Sequence, residues 1–86
     1  MIFAGKLTLN PESPIIEGQD AKLNCSNTVC PTSDVSWKLN GVLLSRTGNE
    51  LRIFSASKYD AGTYSCHPLY YKQMKFAEKA VIVMCK

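Results

Sequence analysis

Apolar and polar residues alternate in short runs along most of this 86-residue chain, and turn formers separate the runs. In "KLTLNP", Leu7 and Leu9 share one side of an extended backbone, and Pro11 closes the strand because it brings no N–H to a ladder. "PESPIIEGQDAKLNCS" holds two extended pieces around an "EGQD" turn. In its second piece Ala21, Leu23 and Cys25 face one way, while Lys22 and Asn24 face the other. "DVSWKLNG" repeats the pattern with Val35, Trp37 and Leu39. Asn40-Gly41 then predicts a tight hairpin turn, since both residues tolerate positive φ. "VLL" follows, then a turn at "RTGN", then "ELRIFS" with Leu51 and Ile53 on one face. "GTYSCHPLYY" sets Tyr64 beside Cys66, and "KAVIVMC" closes the set as an apolar, β-branched run. Helical periodicity, internal repeats, low-complexity tracts and linkers are missing from the sequence. About seven short strands with turns between them predict an all-β, two-sheet antiparallel sandwich, with residues 1–86 as a single domain.

A domain this small buries only about 60% of its unfolded surface, so a covalent staple would help it. Four cysteines in 86 residues supply candidates, and disulfides persist outside the reduced cytosol. The net charge of +3 is mild and its basic residues are dispersed, whereas nucleic-acid binding calls for a dense basic stripe. The sequence has no apolar run long enough to span a membrane. "MIFAGK" lacks the charged start and apolar stretch of a signal peptide, so an extracellular origin would make the chain an excised ectodomain.

The run "DAGTYSC" combines an acid, a tyrosine and a cysteine, and the question is whether it is a redox site, a metal site or a brace. Cys25 and Cys66 both fall mid-strand on inward-facing positions, 41 residues apart, with Trp37 between them. This order, with Tyr64 two residues before the second cysteine and the pattern Asp60-x-Gly62-x-Tyr64-x-Cys66, resembles the immunoglobulin superfamily. The matching stretches "LNC", "VSWKLNG" and "LRIFSASKYDAGTYSC" extend through most of the chain. The resemblance implies a Cys25–Cys66 bridge between the sheets, Trp37 packed on it, and a Tyr64 hydroxyl bonded back to nearby backbone. It also implies that Asp60 pairs with a basic side chain, for which Lys22, Arg46 and Arg52 are candidates. The short stretch between Trp37 and Cys66 implies a C2-like domain with sheets A-B-E and G-F-C-C′ and no full strand D.

Two cysteines remain. Cys30 resembles the extra cysteine in first domains of the vascular and intercellular adhesion molecules, but the position of its usual partner is Tyr70 here. Cys85, at the end of strand G, resembles the cysteine that opens a membrane-proximal motif in T-cell-receptor-associated signalling chains. An axial offset on the order of 30 Å should separate Cys30 from Cys85, against the roughly 7 Å a disulfide allows between Cα atoms. Cys30 therefore stands as a free thiol or an interchain link, and Cys85 as the start of a stalk or a link to a further segment or partner chain.

His67, beside Cys66, should face outward from strand F. A bonded Cys66 could not serve as a nucleophile, and the cysteine gaps do not fit a zinc site. We therefore expect no catalytic residue, metal or cofactor. Asn24-Cys25-Ser26 is an N-glycosylation sequon on the outward side of strand B. The most function-like stretch is "HPLYYKQMKF", where Tyr70, Tyr71, Lys72, Met74 and Lys75 cluster about the F–G turn, of types enriched at interfaces. One of the paired tyrosines should face the core. Lys38 and Asn40 extend this candidate binding set on the same sheet. We thus expect an extracellular recognition domain of a cell-surface receptor or adhesion molecule, outside the plasma membrane or secreted. Its partner would be a protein ligand or a sister receptor chain, and no nucleic acid. A cytokine- or growth-factor-receptor module, or an assembly domain of a multi-subunit immune receptor, would share these features.

Overall fold

The computed structural model describes residues 5–29 and 34–86. Cys30 lies outside the described residues, so its pairing does too. The strands are β1 (Gly5–Asn10), β2 (Ile15–Ile16), β3 (Ala21–Asn27), β4 (Val35–Leu39), β5 (Val42–Thr47), β6 (Glu50–Ile53), β7 (Gly62–Pro68), β8 (Ala77–Val81) and β9 (Val83–Met84). One 3₁₀ turn, Lys58–Asp60, links β6 to β7. The order β1-β3-β6 makes one antiparallel sheet and β5-β4-β7-β8 the other. These are the expected A-B-E and C′-C-F-G sheets, without a strand D among the described residues.

The period-two pattern sets the core. Leu7, Leu9, Ala21, Leu23, Cys25, Leu51 and Ile53 come inward from the first sheet, and Val35, Trp37, Tyr64, Cys66, Ala77 and Val81 from the second. Cys25 and Cys66 are bonded across the gap with Cα atoms 6.4 Å apart. Trp37 lies directly opposite Cys66 on the neighbouring strand. Its indole N–H donates to the Gly48 carbonyl at 2.8 Å, which satisfies the one polar atom of a fully buried ring. At the β4–β5 hairpin, Asn40 and Gly41 take φ of 51° and 81°, the left-handed pair that a two-residue turn with matched twist demands.

The two long edges of the sandwich differ. On one side β2 pairs parallel with β9, an arrangement that alternation alone does not announce. Ile15 N–H donates to Ile82 O and Glu17 N–H to Met84 O, both at 2.9 Å, and Gly5 N–H donates to Phe76 O at 3.1 Å. A Cβ on Gly5 would sit 2.5 Å from the Ser26 carbonyl, so only glycine permits this approach. On the other side, β5 and β6 each end a sheet with no described strand beyond them.

Candidate recognition surface

Alternation along β7 sends Tyr64 and Cys66 inward and Thr63, Ser65 and His67 to the opposite face. Register then fixes a transverse row on that face: Leu43 of β5, Lys38 of β4, Ser65 of β7 and Glu78 of β8. Ser36 and His67 form the next row toward the loop of residues 69–75. Leu43 is half exposed and, lying opposite Lys38, adds apolar area that the sequence pattern did not single out.

For His67 the sequence predicts a side chain that faces outward from β7. It does lie on the outer face, but only 3% of its surface is accessible. Its Nδ1 bonds the Met74 carbonyl and its Nε2 lies 2.6 Å from Ser65 Oγ. A carbonyl can only accept, so Nδ1 carries the proton and, in the neutral ring, Nε2 accepts from the serine hydroxyl. Burial lowers the pKa below 6.5, Lys38 and Lys75 add to that shift, and the Met74 carbonyl opposes it. The imidazole thus ties strand β7 to the far end of the loop. A serine hydroxyl on an imidazole is also a nucleophile–base pair in outline, but both residues are buried here, beneath the surface a substrate would reach.

The loop has its own frame. Tyr71 N–H donates to Pro68 O at 3.4 Å, Met74 N–H to Tyr71 O at 2.9 Å, and Lys72 Nζ to Leu69 O at 2.6 Å. Phe76 turns into the core at 2% exposure, and its N–H returns to Cys66 O at 2.8 Å. Tyr70 and Tyr71 are exposed by 86% and 61%, and Met74 is exposed as well. The expectation that one tyrosine faces the core therefore fails. β7 ends at Pro68, and strand alternation stops where the strand does. Phe76 takes the inward role instead. Lys75 pairs with Glu78 at 3.2 Å.

Two other expected roles change. Asn40 Oδ1 accepts the Thr63 N–H at 2.9 Å, so this side chain braces the β4–β5 turn against β7. Asp60 does not pair with a basic group among the described residues. Its Oδ2 accepts the Ser57 N–H at 2.8 Å, completing a reciprocal cap with the Ser57 hydroxyl at the 3₁₀ turn. Lys22 and Arg52 pair with Glu50 instead, at 3.2 and 3.5 Å, and Arg46 donates to the Arg52 carbonyl at 2.7 Å. The Ser57–Asp60 spacing carries the cap signal in the sequence; the Ser65–His67 pair has no comparable one. Asn24 is exposed on β3, on the far side of the molecule from Lys38. Cys85 is a free, exposed thiol at the end of the last strand. No group of three or more metal-ligating side chains occurs among the described residues, and no described helix is long and apolar enough to cross a membrane.

A buried inter-sheet disulfide, an indole beside it and a Tyr64 hydroxyl that donates back to the Asp60 carbonyl define an immunoglobulin-type sandwich. The immunoglobulin domain family model matches residues 6–68, and the chain belongs to that family. Among solved structures it is similar to the second Ig-C2 domain of human Fc-receptor like A, at 20% identity and a TM-score of 0.73, covering 96% of this chain and 99% of that one. It is also similar to the N-terminal four Ig domains of Dscam1 isoform 6.9, at 25% identity and a TM-score of 0.66. That match covers 95% of this chain and 21% of the other. The fold is C2-like, and the family it defines is typically non-enzymatic.

Proposed function

We propose that the chain is an extracellular protein-recognition domain of a cell-surface or secreted protein, and that it binds a protein ligand through the outer β5-β4-β7-β8 face and the loop of residues 69–75. The observation that carries this reading is the exposure of two adjacent tyrosines on a loop held by backbone turns and by His67. Rigid aromatic area with few torsions to freeze is what hot spots are made of. Tyr70, Tyr71 and Met74 supply that area, with Lys72 in the same loop and Lys38 and Lys75 near His67. Asn40 contributes by fixing the hairpin that positions Leu43. A glycan on Asn24 would occupy the opposite sheet and leave this face open. Such a face buries about 800 Å² per partner at most, which fits micromolar affinity.

The exposed Cys85 thiol favours a second reading, lateral assembly with a sister chain through an interchain disulfide. Non-reducing mass spectrometry of the native protein separates the two. To test the first, the domain is displayed as an avid multimer against a panel of cell-surface ectodomains. Tyr70→Ala and Tyr71→Ala should each abolish capture of a hit, while Phe54→Ala, in the bend just beyond β6, should not. Capture indifferent to both tyrosines removes the proposal.

A further inference from the structure

The open edge between β5 and β6 is built differently from the stitched one. Asn49 O accepts the Cys25 N–H at 2.8 Å, so by strand alternation Leu51 and Ile53 direct their backbone groups toward β3, and Glu50 and Arg52 direct theirs away. The outward Arg52 carbonyl is a ladder acceptor with no described strand to use it. The Arg46 guanidinium reaches over from β5 and occupies it at 2.7 Å. Between the two edges lies a cleft of about 410 Å³, with Leu44, Leu51, Ile53 and the Tyr64 ring in its walls and Arg46 and Arg52 also lining it. The volume lies within the roughly 300–1,000 Å³ range of ligand sites. The carboxylate there, Asp60, is committed to the Ser57 N–H, and Glu50 holds Arg52 at 3.5 Å, so Arg46 is the guanidinium of the cleft that meets only a neutral carbonyl among the described residues. Phe54, two-thirds exposed, borders the same cleft.

We propose that this edge accepts an extended strand of a partner protein carrying an apolar side chain next to an acidic one. The incoming backbone N–H takes over the Arg52 carbonyl, adding a strand beyond β6 where none is described. Arg46, displaced from that carbonyl, turns its planar fork to the incoming carboxylate, a charge-assisted and bidentate exchange for a neutral acceptor. The apolar side chain enters the cleft against Leu44 and Ile53. Acidic rather than basic peptides are selected because Arg46 bonds only a neutral carbonyl at this edge and gains an ionic partner from an incoming carboxylate. The site lies away from the tyrosine loop and does not depend on the function proposed for it.

The test is an amide-resolved NMR titration of the intact 86-residue domain. The probe is a blocked octapeptide of alternating Thr and Val with a central Leu-Asp pair; a Leu-Lys peptide is the control. Saturable shifts should centre on Arg46, Arg52 and Phe54, with the Leu-Lys peptide weaker by about tenfold or more. Arg46→Glu should reverse the preference. Ser45→Trp, at an exposed position lining the cleft, leaves the clasp in place and should block binding even if the charge reversal perturbs folding. No saturable shift at this edge, equal binding of both peptides, or concentration-dependent shifts without peptide, which would mark a second copy as the occupant, each overturns the proposal.

Discussion

The Tyr64 hydroxyl donates a 2.6 Å hydrogen bond to the carbonyl oxygen of Asp60, four residues earlier. The bond closes the turn that brings the chain from one sheet to the other. Burial, then the negative charge of Asp60, push the phenol pKa from 10.0 to about 12, with Arg46 acting in the opposite sense. Tyr64 should therefore ionise well above pH 10 in an ultraviolet titration, as the component that Tyr64→Phe removes. Because the folded pKa is raised, the unfolded chain loses its proton first. The contribution is complete below pH 10 and is lost as pH rises through about 12. Tyr64→Phe should flatten that alkaline loss and cost about 1–2 kcal/mol at neutral pH by urea denaturation.

Cleaving the Cys25–Cys66 bond releases a 41-residue separation. Chain entropy then predicts a loss of about 3–4 kcal/mol, a large part of what a small domain possesses. The double Cys25→Ala/Cys66→Ala variant should show a denaturant midpoint shifted accordingly. In the native wild type, a maleimide should label the exposed Cys85 without lowering the midpoint.

His67 gives an acid-side counterpart. Its pKa falls below the ordinary 6.5 chiefly through burial, with Lys38 and Lys75 adding to the effect against the Met74 carbonyl. The unfolded chain binds the proton more readily, so this stability is present above pH 6.5 and is lost as pH falls toward the folded pKa. His67→Asn should remove that slope between neutral and mildly acid pH, as followed by thermal melts. It should also loosen the loop, seen as faster amide exchange at Met74.

Gly62 has φ of +144°, and a Cβ there would lie 2.6 Å from both terminal atoms of Asn40. Gly62→Ala should cost about 2 kcal/mol, by combining left-handed strain with displacement of the Asn40–Thr63 bond. In an Asn40→Gly background, which keeps the turn's positive φ, the same substitution should cost less. A four-corner cycle of urea midpoints measures the difference.

Much of the fold was legible because period-two alternation is a local property of extended backbone. Leu23, Cys25, Trp37, Leu51, Tyr64 and Cys66 all face inward as their spacing requires. Asn40-Gly41 announced its turn through φ preferences that belong to the residues themselves. The candidate binding set was legible only in part. Alternation carried through Tyr70 and Tyr71 runs past the point where β7 ends, and the acceptor need of Asp60 is met three residues away by Ser57 and not by a distant cation.

The inward-facing set, the hairpin and the spacing that lets two cysteines meet are all written in residue order, because each rests on torsions and side-chain direction along a single strand. The tertiary structure alone decided that β2 pairs with β9, that His67 is covered by its own loop, and that Arg46 stands in for a strand beyond Arg52. Those outcomes depend on which residues, far apart in the chain, come level with one another when two twisted sheets pack, and no local period encodes that height.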